Sequence, residues 1–170
     1  MSNMICFDYK SDKDDLNMSN GGTSVFINVL CLSSGRLAET ENQKRFMVFL
    51  AEKNQNVCGI GTVGFDIVDM PWDKNSFDEN KTFILRVIDG ARQKLGWETL
   101  GYEPNEEFVA EYLDTFQKLI QRMSAENIIE ESLTEWLSEA DENDPIRCGF
   151  PKCKMHDAYI IVHGCQVCMD

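Results

Sequence analysis

The sequence predicts an α+β fold, with a small β-sheet packed by about four helices and a short cysteine-rich tail. Three observations carry this. Apolar residues recur at helical spacing through residues 83–140, β-branched and aromatic runs of strand length stand at 24–32 and 57–68, and four of the seven cysteines crowd between Cys148 and Cys168. The order of elements divides the 170 residues into a loose amino-terminal arm (1–23), an α+β domain (24–144) and a terminal module (145–170).

Residues 8–23 (DYKSDKDDLNMSNGGT) are polar, glycine-bearing and aperiodic, which reads as a loop. Asp12, Asp14, Asp15 and Asn17 evoke a calcium loop, but its later glycine and terminal glutamate are missing, so a solvated turn is expected. Ser24 to Leu32 (SVFINVLCL) reads as a strand buried on both faces. Thr40 and Gln43 form a capping-box pattern that opens a helix over about 41–54, with a strand at 45–51 as the alternative. Val57 to Val68 alternates in polarity and reads as a strand with a glycine-rich start.

Ser76 and Glu79 form a second capping-box pattern. The stripe Phe83, Ile84, Val87, Ile88, Ala91 and Leu95 follows, and Gly96 stops it. A further stripe runs from Phe108 through Leu113 and Phe116 to Met123, and another from Ile128 to Ala140. Ser124 either caps the last helix or marks a bend in one continuous helix.

The formal charge is −13, and it is lopsided: residues 97–144 hold fourteen acidic side chains against Lys118 and Arg122 alone. Glu131, Glu135, Glu139 and Glu142 fall at near-helical spacing and form one ridge. Like charges four residues apart cost a helix about 0.2–0.5 kcal/mol per pair, so such a ridge is unfavourable unless it is used. A solvated face is the plain reading. Electrostatic steering toward a basic protein partner is the functional one; Trp72 and Trp97 read by default as core packing, and their places beside loops make them the alternative candidate anchors. No apolar run reaches the roughly 18 residues needed to cross a bilayer, and the first residues lack a signal-peptide pattern, so a cytoplasmic location is expected.

Reduced cysteines in such a setting favour metal over disulfides. Cys6, Cys31 and Cys58 stand alone in or beside apolar stretches and are expected as buried, inert thiols. The tail contains Cys148-x4-Cys153 and Cys165-x2-Cys168 around the short apolar run Ala158 to Val162. Turn, strand and turn with thiols at each end resembles a zinc ribbon over residues 148–168. This implies one structural Zn2+ on Cys148, Cys153, Cys165 and Cys168, so that the tail is zinc-stapled. A rival set puts His156 in place of Cys148, through Cys153-x2-His156, and His163 is a further alternate ligand.

Catalysis finds little support. Gly59 to Gly64 matches the dinucleotide fingerprint letter for letter, but an alternating strand follows instead of a helix. Both histidines belong to the tail, which leaves a nucleophile elsewhere without an evident base. Asp66 and Asp69 could hold a hard cation in a carboxylate-metal enzyme, the third reading. Arg147, Lys152 and Lys154 are too few to track phosphates, so direct nucleic-acid contact is not expected. In size and charge alone the chain resembles bacterial immunity proteins and antitoxins, which neutralise basic toxins. That makes an inhibitor the leading reading, ahead of a zinc-ribbon adaptor docking on nucleic-acid machinery.

Overall fold

A computed structural model describes residues 3–10, 12–55 and 58–169. The chain is α+β, with helices dominant. At its centre lies α1 (Asn20–Leu37), buried on every side through Phe26, Ile27, Val29, Leu30 and Leu32. The run Ser24 to Leu32, expected as a strand, is therefore the middle of a helix. An apolar stretch without period fits either element, and a helix apolar all round is one that sits inside a core. The start signal is Ser19, whose hydroxyl accepts from the Gly22 N–H at 3.0 Å.

Around α1 pack α2 (Glu41–Glu52), α3 (Phe77–Arg92) and α4 (Glu106–Arg122). The capping box of α2 forms as expected: the Thr40 hydroxyl accepts from the Gln43 N–H, and the Gln43 side chain accepts from the Thr40 N–H. At α3 the stripe Phe83, Ile84, Val87, Ile88 and Ala91 is buried, but Ser76 makes no capping hydrogen bond. Asn105 caps α4 instead of Ser or Thr, accepting from the Phe108 N–H at 3.1 Å. Ser124 then closes a short 3-10 turn, so α5 (Glu130–Glu139) is a separate helix.

The strands are very short. β1 (Met4–Cys6) pairs antiparallel with β2 (Leu16–Asn17) and parallel with β5 (Phe65–Asp66). β3 (Asn54–Gln55) pairs with β4 (Gly61–Thr62), and β6 (Ile160–Ile161) with β7 (Gly164–Cys165), both antiparallel. The arm expected to be loose thus supplies two strands and places Ile5 and Leu16 in the core. Between them, Asp12 and Asp15 accept backbone N–H bonds within a turn, and Arg122 pairs with Asp12 at 3.3 Å. The single strand expected over 57–68 is two short ones followed by a 3-10 turn at Ile67–Asp69; Val57 lies outside the described residues. No helix opens after Gly64, so the dinucleotide pattern has no phosphate-binding helix behind it.

Trp72 corrects another expectation. It is buried between Phe46 and Phe77, at centroid distances of 4.9 and 5.3 Å, and its indole N–H donates to the Ile67 carbonyl at 2.8 Å. It is a core residue and presents nothing to a partner.

Candidate metal centre

The tail folds as two turns side by side. In the first, an isolated bridge between Lys152 and Tyr159 encloses Cys153 and His156, with Asp157 in the left-handed region (φ 54°). In the second, β6 and β7 form a hairpin that delivers Cys165, and a 3-10 turn at Val167–Met169 brings Cys168 back beside it. The ligand atoms of Cys153, His156, Cys165 and Cys168 all lie within 4.8 Å of one another. Cys153 Sγ is 3.7 Å from both Cys168 Sγ and His156 Nδ1. His156 Nδ1 is 3.7 Å from Cys165 Sγ and 3.2 Å from Cys168 Sγ.

A tetrahedral ion with bonds of about 2.3 Å to sulfur and 2.0–2.1 Å to nitrogen sets its ligands about 3.8 Å apart for two thiolates and about 3.6 Å for thiolate and imidazole. The observed spacing matches, so the group could hold a metal ion such as zinc, in an arrangement compatible with a zinc-ribbon-like tail. The surroundings treat the three thiols differently. Burial pushes Cys165 up to about 12 and raises Cys168 as well. Burial acts the same way on Cys153, but N–H groups of His156 and Met155, the His156 ring and Cys168 outweigh it and bring that thiol down to about 6. Binding an ion displaces thiol protons, so affinity falls as the pH falls.

Cys148 does not join. It is exposed, with its Sγ 3.6 Å from the Glu142 carbonyl oxygen, and the rival His156 takes the fourth position. The reason is local. Gly149 and Phe150 both take positive φ (82° and 55°), turning the chain before Cys153 so that the x2 spacing of Cys153 and His156 closes the site. His163 also stays outside, at the exposed tip between β6 and β7.

The centre is fastened to the helical core. Lys152 Nζ donates to the Gly35 carbonyl at 2.5 Å, Arg36 donates to the His156 carbonyl at 3.0 Å, and Gln166 donates to the buried Asn28 at 3.3 Å. Gly35 permits this approach: a Cβ there would stand 2.0 Å from the Asp157 carbonyl oxygen. Ala158, Tyr159, Ile161 and Val167 are buried in the same core. These anchors come from α1 and the tail, more than 110 residues apart, and no local pattern announces them.

Elsewhere the expected site residues scatter. Glu131, Glu135 and Glu139 are exposed on α5, whereas Glu142 lies beyond its end in the following turn. Trp97 is half-buried, with its indole nitrogen buried and without a hydrogen-bond partner among the described residues. Asp69 accepts from the Tyr9 hydroxyl at 2.7 Å, and burial followed by the nearby Asp69 raises Asp66. Among the described residues these two aspartates join no group of three potential metal ligands. Comparison with protein-family models, with curated proteins and with solved structures finds no match. Among the described residues no helix is long and apolar enough to cross a membrane.

Proposed function

We propose that the protein binds a basic protein partner through its acidic carboxy-terminal half, with a structural zinc ion holding the tail onto the helical core. A site of three cysteines and one histidine fills the tetrahedron and leaves no position for water, so its ion supports the fold and activates nothing. The observation that carries the partner reading is on and just beyond α5: Glu131, Glu135, Glu139 and Glu142 are exposed, and none makes an ion pair among the described residues. Carboxylates elsewhere on the helices do find cations: Lys74 pairs with Glu130, Arg92 with Asp114 and Lys94 with Glu106. A row left uncompensated repels itself, and a cationic surface relieves that repulsion.

The bases of the tail are already engaged. Arg147 donates to the Ala140 and Leu137 carbonyls behind α5, and Lys152 pairs with Asp157 as well as Gly35. Among the described residues Lys154 alone of these three makes no hydrogen bond or ion pair, which disfavours an adaptor that contacts nucleic acid directly. Immunity or antitoxin activity is the narrower form of the proposal, supported by size and charge.

Affinity purification from the native host at low and high salt tests the reading. A basic protein is expected at low salt, lost as ionic strength rises. The triple substitution Glu131→Lys, Glu135→Lys and Glu142→Lys is expected to slow association with that protein by about tenfold or more, with the melting temperature unchanged. Association that ignores both salt and the substitutions would defeat the proposal.

A further inference from the structure

The cysteines stand in different settings. Cys6 and Cys31 are buried as expected, whereas Cys58, expected to be buried too, is exposed with its Sγ 3.5 Å from Nε2 of His163. Within the tail centre the three thiols differ again: Cys165 is buried at 7% exposure, Cys153 is half-buried and Cys168 is exposed. An ion held there has one sulfur ligand that a small molecule in solvent reaches directly. Accessible sulfur that is held deprotonated is the sulfur that peroxides oxidise.

Spacing alone suggests that Cys168 would pair with Cys165, through Cys165-x2-Cys168. The structure favours Cys153. Cys165 is buried and fixed on β7, where it pairs with Ile160. Cys153 and Cys168 both sit in turns on the more exposed side of the site, with their sulfurs 3.7 Å apart. We propose that peroxides convert Cys153 and Cys168 to a disulfide, which discharges the ion of the tail and makes the centre a reversible redox switch. The inference rests on the structural-zinc reading and adds the regulation of that site.

The peroxide transfers oxygen to Cys168: an S–O bond forms, the O–O bond breaks, and the departing alkoxide or hydroxide takes a proton from solvent. Cys153 then attacks the sulfenic sulfur, the S–S bond forms, the S–O bond breaks, and hydroxide leaves and is protonated to water. The two sulfurs lose two electrons and the peroxide gains them. Cys165 and His156 are then two donors where a tetrahedral ion takes four. The new bond joins the same two turns that the ion joined, and the contacts of Lys152, Arg36 and Gln166 with α1 involve neither oxidised sulfur. Reduction therefore finds the donors still gathered.

The test adds stoichiometric hydrogen peroxide to the zinc-loaded full chain carrying Cys58→Ser and Cys148→Ser, which removes the exposed thiols outside the centre. Metal content is measured before the oxidant is added. The expected result is loss of the ion in step with loss of two thiols and a Cys153–Cys168 crosslink in peptide mapping. Dithiothreitol is expected to restore both thiols and zinc uptake. Zinc retained with its thiols free, crosslinks mainly to Cys165, or irreversible sulfinic acid on Cys168 would overturn the proposal. A chain without zinc before peroxide is added defeats the structural-zinc reading instead, and mapping the crosslink in that metal-free chain still decides the pairing.

Discussion

Cys168→Ser is expected to empty the tail centre and lower stability by about 5 kcal/mol, with a fall in melting temperature of roughly 10–20 °C. Structural zinc in an isolated finger supplies about 10 kcal/mol or more, because such a peptide has almost no other reason to fold. Here part of that role belongs to packing, since Tyr159, Ile161 and Val167 are buried and Lys152, Arg36 and Gln166 hold the tail to α1. The loss should therefore be smaller than for a free finger, but it should reach the core. Thermal melting with metal analysis measures it, and limited proteolysis should open residues 145–169 first. A variant that keeps both its ion and its melting temperature would show that Cys168 is not a ligand.

Gly35→Ala is expected to cost about 2–3 kcal/mol and to loosen the ion, although residue 35 touches no ligand atom. A methyl group there would meet the Asp157 carbonyl oxygen at 2.0 Å, so either α1 or the tail must move. Asp157 follows His156 directly, so the displacement is passed to a ligand. Gly21→Ala in the same helix is the control. Nothing lies within 4 Å of its would-be methyl group, and helix propensity favours alanine. Chemical denaturation of both variants separates crowding at the tail contact from a general effect of losing a glycine. Equal stability of the two would mean that α1 and the tail are not in close contact.

The elements legible in the sequence were those whose pattern is local. The stripes of α3 and α4 repeat every three or four residues because one face is buried, and the Thr40–Gln43 capping box marks a helix start within four residues. Cys165-x2-Cys168 was legible for the same reason, since a tight turn alone brings the two thiols together. What escaped depends on partners distant in sequence. The run Ser24 to Leu32 carries no period because neighbours surround it, and strands of two or three residues are too short to imprint alternation. Cys148 and His156 competed through Cys148-x4-Cys153 and Cys153-x2-His156, and the left-handed turns at Gly149, Phe150 and Asp157 that accompany the second set are not revealed by composition. Cys58 and His163 lie farther apart still, and only the packing of the β6–β7 hairpin beside α2 and α5 brings them into contact.

X-ray absorption at the metal edge tests the tail centre most directly. It is carried out on the zinc-loaded full chain. The ligand geometry predicts three sulfur neighbours at about 2.3 Å and one nitrogen at about 2.0–2.1 Å. A shell of four sulfurs would return Cys148 to the site and contradict the fold of the tail. A shell of oxygen and nitrogen without sulfur would contradict the centre altogether.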